Sequence, residues 1–231
     1  MYSKGTKGSL RHRVLIVDDH PIVRAGLAQL INRESDLMVC GEAGSSAEAL
    51  AAVEDHDPEL VLLDISIKGA NGIEVMKCLR ESHPELPVLM LSMHDEKLYA
   101  ERAISAGARG YVMKQEAPGT VLTAIRSVLQ GKIYVSDSMT TCIIRDLMLS
   151  GMDPNKYRSG IKKLSDRELE IYELIGSGLT TREIADKLNV SIKTVETHRV
   201  HIRQKLKLRS AADLTHRAIR WVESQNEASP A

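Results

Sequence analysis

The chain has 231 residues, 43% of them hydrophobic and none of them Phe, so its apolar material suffices for one or two domains with aliphatic cores. No apolar run approaches the ~20 residues that span a bilayer, and Met1 to Arg13 is basic and polar rather than a secretory leader, so a cytoplasmic protein without a membrane segment is expected. The zero net charge conceals an asymmetry: residues 1–135 carry 15 Lys+Arg against 18 Asp+Glu, and residues 136–231 carry 16 against 13.

Five short apolar runs alternate with amphipathic stretches over the first 130 residues. Strands are expected near 13–18, 37–42, 59–63, 87–91 and 109–113, and helices near 21–33, 45–55, 71–83, 95–106 and 118–130. Continuous apolar runs of this length between helices describe buried parallel strands in a doubly wound α/β sheet. Pro21 fits the first turn of a helix, where its missing N–H is not needed, and Gly107 fits a helix C-cap. Beyond Gly131 the pattern changes. Residues 137–149 place Met139, Cys142, Ile143, Leu147 and Met148 at spacings of one short helix, followed by a Ser/Gly/Asp/Pro stretch that reads as a linker. Residues 162–222 carry four further helical patterns, with a capping box at Ser165 and Glu168 and caps at Ser191 and Ser210. Cys40, Cys78 and Cys142 form no CxxC pair and are expected to be reduced thiols.

In a doubly wound sheet the carboxyl ends of the strands share one edge, where ligands bind. The first strand runs into Asp18 and Asp19, the third ends on Asp64, the fourth on Ser92 and the fifth on Lys114. Three carboxylates, a hydroxyl and an ammonium at one edge suit phosphoryl transfer. Crowded carboxylates repel unless a cation neutralises them, and Mg2+ prefers such oxygen ligands beside phosphate. Asp64 lies centrally and is the expected nucleophile, forming an aspartyl phosphate. Ser92 and Lys114 would bind phosphoryl oxygens.

Residues 12–130 resemble the receiver domains of bacterial response regulators. The resemblance rests on Val17-Asp18-Asp19-His20-Pro21, Leu63-Asp64, Gly72, Ser92 and Ala106-Gly107-Ala108-Arg109-Gly110-Tyr111-Val112-Met113-Lys114. It implies a flavodoxin-like five-stranded fold and phosphorylation of Asp64 by a cognate sensor histidine kinase. It further implies Mg2+ held by Asp19, Asp64 and the backbone carbonyl of Ser66, with Asp18 acting mainly through water, and Ser92 with Tyr111 as the switch pair. Two departures stand out: Ile67-Lys68 replaces the Met-Pro common after the phosphoacceptor, and Gln115 replaces the proline, usually joined by a cis peptide, that follows the lysine in many receivers.

Within 193–209, six basic residues face one acid, Glu196, a footprint for a phosphate backbone. Thr181 to Ser191 followed by a basic helix reads as helix-turn-helix. Ile184, Ala185 and Leu188 would face inward, Val190 would plug the turn, and Val195, His198, Ile202 and Leu206 share the buried face of the next helix. The opposite stripe, Lys193, Glu196, Thr197, Val200 and Gln204, would enter the major groove beside Thr194. Thr181, Arg182, Arg199, Arg203 and Lys205 would bind phosphates, which position without specifying.

Residues 162–222 resemble the LuxR-type DNA-binding domain through Leu164-Ser165-Asp166-Arg167-Glu168, Ile184 to Leu188 and Ser191 to His198. Together the two parts resemble the NarL/FixJ response regulators, which implies double-stranded promoter DNA as a partner and homodimers on activation, often through the last helix. The expected domains are a receiver at 12–131, a linker at 132–161 and a small all-α helix-turn-helix domain at 162–222. Two rival readings are weaker. An aspartate-nucleophile phosphatase needs a carboxylate two residues after the nucleophile, where Ser66 stands, and a small-molecule-sensing regulator has no use for the acidic cluster.

Overall fold

The structure, a computed structural model, describes residues 11–68, 70–93, 96–137, 139–141 and 160–227. The chain divides into two compact units, Met1–Arg145 and Asp146–Ala231.

The first unit is built on a parallel sheet of β1 (His12–Val17), β2 (Leu37–Ala43), β3 (Leu60–Asp64), β6 (Val88–Ser92) and β7 (Gly110–Met113), ordered β2-β1-β3-β6-β7. Helices α1 (Pro21–Asn32), α2 (Ser46–His56), α3 (Gly72–Ser82), α4 (Glu96–Ala106) and α5 (Pro118–Leu129) connect them. β3 and β6 are buried at every position, as their unbroken apolar sequences require of central strands. On one sheet face Val14, Ile16, Leu60, Leu62, Leu89, Leu91 and Val112 form a core with Ile31 of α1 and Val121, Ile125 and Val128 of α5.

Three local findings go beyond the sequence pattern. β1 ends at Val17, so Asp18 and Asp19 lie just past the strand rather than at its last residues. The β1–β2 register slips between Val14 and Leu15, which pair with Val39 and Gly41, leaving Cys40 as the bulged residue. A two-residue hairpin, β4 (Ser66–Ile67) and β5 (Ala70–Asn71), follows the third strand, too short for periodicity to reveal. Its turn is tied to the start of α2, where Ser46 N donates to Lys68 O at 3.0 Å, so the loop is anchored without the missing proline. Among the described residues no peptide bond is cis, including the one before Gln115.

The second unit holds a 3-10 turn (Gly160–Lys163) and helices α6 (Asp166–Gly176), α7 (Thr181–Lys187), α8 (Ile192–Leu206) and α9 (Ala211–Glu227), the last of which runs beyond the expected Trp221. α6 packs against α7, α8 and α9. A Cβ at Gly176 would lie 2.5 Å from Ala218 O, so glycine permits the close approach of α6 and α9. Tyr172 and Trp221 seal the same contact with ring centroids 5.4 Å apart. The Ser165/Glu168 capping box starts α6, and a second box at Thr180 and Glu183 starts α7. Of Thr180 and Thr181, both of which the sequence offers as the start of this helix, Thr180 is the cap, in a Thr-x-x-Glu pattern. Of the helical pattern expected over 137–149, Asp137 and Met139–Thr141 are helical, and Cys142 onward lies outside the described residues.

Candidate functional site

Strand order dictates the first cluster. Asp64 pairs in register with Leu91, and Ser92 with Met113, so Asp64, Ser92 and Lys114 succeed one another at the carboxyl edges of β3, β6 and β7. On the other side of β3, β1 delivers Asp18 and Asp19. Asp18 and Asp64 are almost wholly buried, and the Lys114 ammonium lies 2.6 Å from Asp64 Oδ2 and 2.6 Å from Asp18 Oδ2. Lys114 N also donates to Ser92 O at 2.8 Å, fixing the base of the lysine to the end of β6. Ser92 and Tyr111 are buried beside this edge.

The electrostatics follow from burial. Desolvation pushes Asp64 up to about 6, with the Asp18 carboxylate adding to it and the Lys114 ammonium opposing it. For Lys114, burial favours the neutral amine, but the attraction of Asp64 and Asp18 outweighs it and raises its pKa. The Ser66 backbone N–H also bonds the Asp64 carboxylate, so the hairpin after β3 faces the pocket.

Sequence reasoning did not single out the groups that hold the acidic loop. Asp18 Oδ1 accepts His20 N at 2.9 Å, closing an Asx turn. The His20 ring reaches Asp19 Oδ1 at 2.7 Å, and Arg24 Nη1 donates to Asp18 O at 2.5 Å. His20 sits inside the Val17-Asp18-Asp19-His20-Pro21 motif and Arg24 one helical turn later, so the local sequence itself carries the signal for both.

Asp18, Asp19, His20 and Asp64 bring ligand atoms within 4.8 Å of one another. The buried Asp18 Oδ2 and Asp19 Oδ1 accept no hydrogen bond of good geometry, although the Lys114 ammonium stands near the first and the His20 ring near the second. Oxygen donors with unspent lone pairs suit a hard divalent cation such as Mg2+.

The second cluster lies on α7 and α8. Ile184, Ala185, Leu188, Val195, Ile202 and Leu206 are buried, whereas Lys193, Thr194, Glu196, Thr197, Val200 and Gln204 are exposed. Val200 is among the few large apolar side chains exposed in the described residues. Thr194 and Thr197 are partly engaged: Thr194 shares a 2.7 Å hydrogen bond with Ser191 at the cap, and Thr197 Oγ1 donates to Lys193 O at 2.9 Å. Arg182 is exposed, and Thr181, Arg199 and Arg203 are half-buried. Burial, reinforced by neighbouring Arg203, lowers the pKa of Arg199. Lys205 is drawn into its own domain, its ammonium 2.5 Å from the buried Glu168 carboxylate. His198 is half-buried with Nδ1 sequestered, and burial lowers its pKa, as suits a packing residue.

Residues 14–126 match the response regulator receiver domain and residues 162–218 the bacterial regulatory proteins of the luxR family. The oxygen regulatory protein NreC of Staphylococcus carnosus is 36% identical over 210 residues, covering 90% of this chain and 97% of NreC. RcsB from Salmonella enterica serovar Typhimurium, solved bound to promoter rprA with the phosphomimetic BeF3−, aligns over 89% of this chain and 97% of its own, with TM-score 0.59 and 26% identity. A LuxR-family two-component response regulator from Aurantimonas aligns over 60% of this chain and 99% of its own, with TM-score 0.56 and 33% identity. The chain therefore belongs to the two-component response regulators that join a receiver domain to a LuxR-family DNA-binding domain.

Proposed function

We propose that this chain is a cytoplasmic transcription regulator switched by phosphorylation of Asp64. The carboxylate attacks the phosphorus of a phosphohistidine on a sensor kinase. The N–P bond breaks, an aspartyl phosphate forms, and the departing imidazole takes a proton. Asp19, Asp64 and the Ser66 carbonyl would hold Mg2+, with Asp18 acting mainly through water, and the ion would supply positive charge beside the carboxylates and the phosphoryl group. Lys114 stands on Asp64 Oδ2, poised to pair with a phosphoryl oxygen, and Ser92 would hydrogen-bond another while Tyr111 follows. The observation that carries this reading is the Asp18/Asp64/Lys114 constellation at one sheet edge of a chain that also bears a helix-turn-helix. Among the described residues no helix is long and apolar enough to cross a membrane.

The DNA-binding domain, proposed as 162–222 after a receiver at 12–131 and a linker at 132–161, would lay α8 in the major groove of promoter DNA. Lys193, Thr194, Glu196, Thr197 and Val200 would face the bases. Thr181, Arg182, Arg199, Arg203 and Lys205 would face phosphates. Phosphorylation would favour a homodimer and so pair two such helices on one operator, making the protein a regulator rather than an enzyme. The test is intact mass after incubation with acetyl phosphate and Mg2+. One phosphoryl group should be gained by the wild type and none by Asp64→Asn, and equal gain by both would overturn the assignment.

A further inference from the structure

The segment that leaves the receiver does not simply hang from α5. Gly131, at φ +79°, turns the chain back, and residues 132–136 run along the outer edge of β7. Tyr111 N donates to Tyr134 O at 2.9 Å, and Tyr134 N donates to Arg109 O at 3.0 Å, so the segment adds a short parallel bridge to the edge strand. Gly110 makes room for it, because a Cβ there would stand 2.8 Å from Tyr134 O. The Tyr134 side chain packs on the core formed with α1 and α5.

Two residues later the segment meets α4. Ser136 Oγ donates to Glu96 Oε2 at 2.5 Å and Ser136 N donates to Glu96 Oε1 at 3.2 Å, so one carboxylate takes both donors of one residue. Ser136 in turn starts the next helix: its Oγ accepts Met139 N at 3.1 Å, its O accepts Thr140 N at 2.9 Å, and Met139 is buried.

We infer that the β7 edge and the Glu96 carboxylate form a docking site for this chain's own residues 132–137, and that the site opens when Asp64 is phosphorylated. The inference rests on the reading of Asp64 above and adds what receives the signal. Two of the contacts that hold the segment belong to the expected switch: the amide of Tyr111, and Glu96 four residues beyond Ser92. A phosphoryl group that draws Ser92 inward pulls on the start of α4, and a charge-assisted pair of hydrogen bonds at 2.5 and 3.2 Å tolerates little displacement before it breaks. Releasing Ser136 removes the cap of the helical turn that follows it. The local change thus reaches the linker without passing through the sheet interior.

The test is amide hydrogen exchange on the full chain, read on peptides spanning 132–141, with acetyl phosphate and Mg2+ as the probe and intact mass taken in parallel. Phosphorylated wild type should exchange there about tenfold faster, the effect of losing a charge-assisted hydrogen bond. Glu96→Ala and, from the other side, Ser136→Ala should exchange fast without the phosphodonor and gain little from it. Unchanged exchange in wild type that carries the phosphoryl group would overturn the release. Protection in Glu96→Ala equal to wild type would overturn the clamp itself, whether or not Asp64 is modified. A missing mass gain would instead overturn the reading of the pocket, leaving the Glu96→Ala comparison to decide the clamp.

Discussion

Gly72 stands so close to Asp64 that a Cβ on it would lie 2.0 Å from the Asp64 carbonyl oxygen. The contact explains why the third helix can start directly beneath β3. Gly72 N donates to Ile65 O at 2.6 Å, and Asn71, fully buried, caps the helix by accepting Ile73 N at 3.0 Å. The hairpin between them therefore holds Asp64 and Ser66 in fixed relation.

Gly72→Ala should cost about 2–4 kcal/mol, because the clash is with backbone and cannot be relieved by a rotamer. It should also weaken Mg2+ binding, since the shift moves both Asp64 and Ser66. Thermal unfolding with and without Mg2+ measures both effects. A variant as stable as wild type that keeps its Mg2+-induced stabilisation would show that the loop can give way.

Asp64 carries a stability cost of its own. With burial holding it at about 6 against 3.8 for an ordinary aspartate, its contribution is fully present below pH 3.8 and lost as pH rises through about 6. That gap is worth up to about 3 kcal/mol at pH 8. Asp64→Asn should accordingly be more stable than the metal-free wild type at pH 8, with the advantage shrinking toward pH 5. Urea unfolding at the two pH values decides it. An advantage that grew on acidification would contradict the assigned direction.

How far the sequence reached differs between elements. Strand ends were legible because apolar runs such as Leu60 to Leu63 stop abruptly at a charged residue, and the carboxyl edge of a parallel sheet gathers whatever follows. The inward face of α8 was legible because Val195, Ile202 and Leu206 keep helical spacing. What stayed hidden depends on contacts between residues far apart in sequence. Nothing local reveals that Glu96 would meet Ser136, that Lys205 would turn to Glu168, or that Cys40 would bulge. The hairpin at Ser66 to Asn71 was hidden for another reason, because two-residue strands carry no period.

Arg126 of α5 offers a peripheral comparison. Its guanidinium grips Asp36 with two 2.8 Å contacts and Glu34 with one of 2.6 Å, and that pairing holds Asp36 down to about 2. The lowered carboxylate stabilises the fold above pH 3.8 and ceases to do so as pH falls through about 2. The pair is more than a third exposed, so Arg126→Ala should cost no more than about 1 kcal/mol at pH 7. The cost should fade in acid. A loss several-fold larger in urea titrations, or one unaffected by pH, would mean that Arg126 acts through packing of its stem instead.

Lys205 is the basic residue whose expected role the structure alters most. Its ammonium is committed to Glu168, and although burial pushes that carboxyl upward, Lys205 and Ser165 together hold it below the ordinary glutamate range. Lys205→Ala should therefore do two things at once. On DNA, where Lys205 would exchange Glu168 for a phosphate, it should lose that contact, lowering the slope of log affinity against log salt by up to about 0.9 for every sequence alike. It should also destabilise the DNA-binding domain by about 1–2 kcal/mol, because a buried carboxylate loses its cation. Glu168→Gln separates the two effects. Glutamine still serves the capping box with Ser165, yet it no longer competes for the ammonium. The variant should bind non-specific DNA roughly threefold to tenfold more tightly than wild type. Thr197→Ala, by contrast, should leave the salt slope alone and change sequence preference by ~1–3 kcal/mol at one base pair. Binding titrations on matched and mismatched duplexes at several salt concentrations read all three variants. If Glu168→Gln bound no more tightly than wild type, Lys205 would be a structural residue only, and the phosphate contacts of α8 would fall to Arg199 and Arg203.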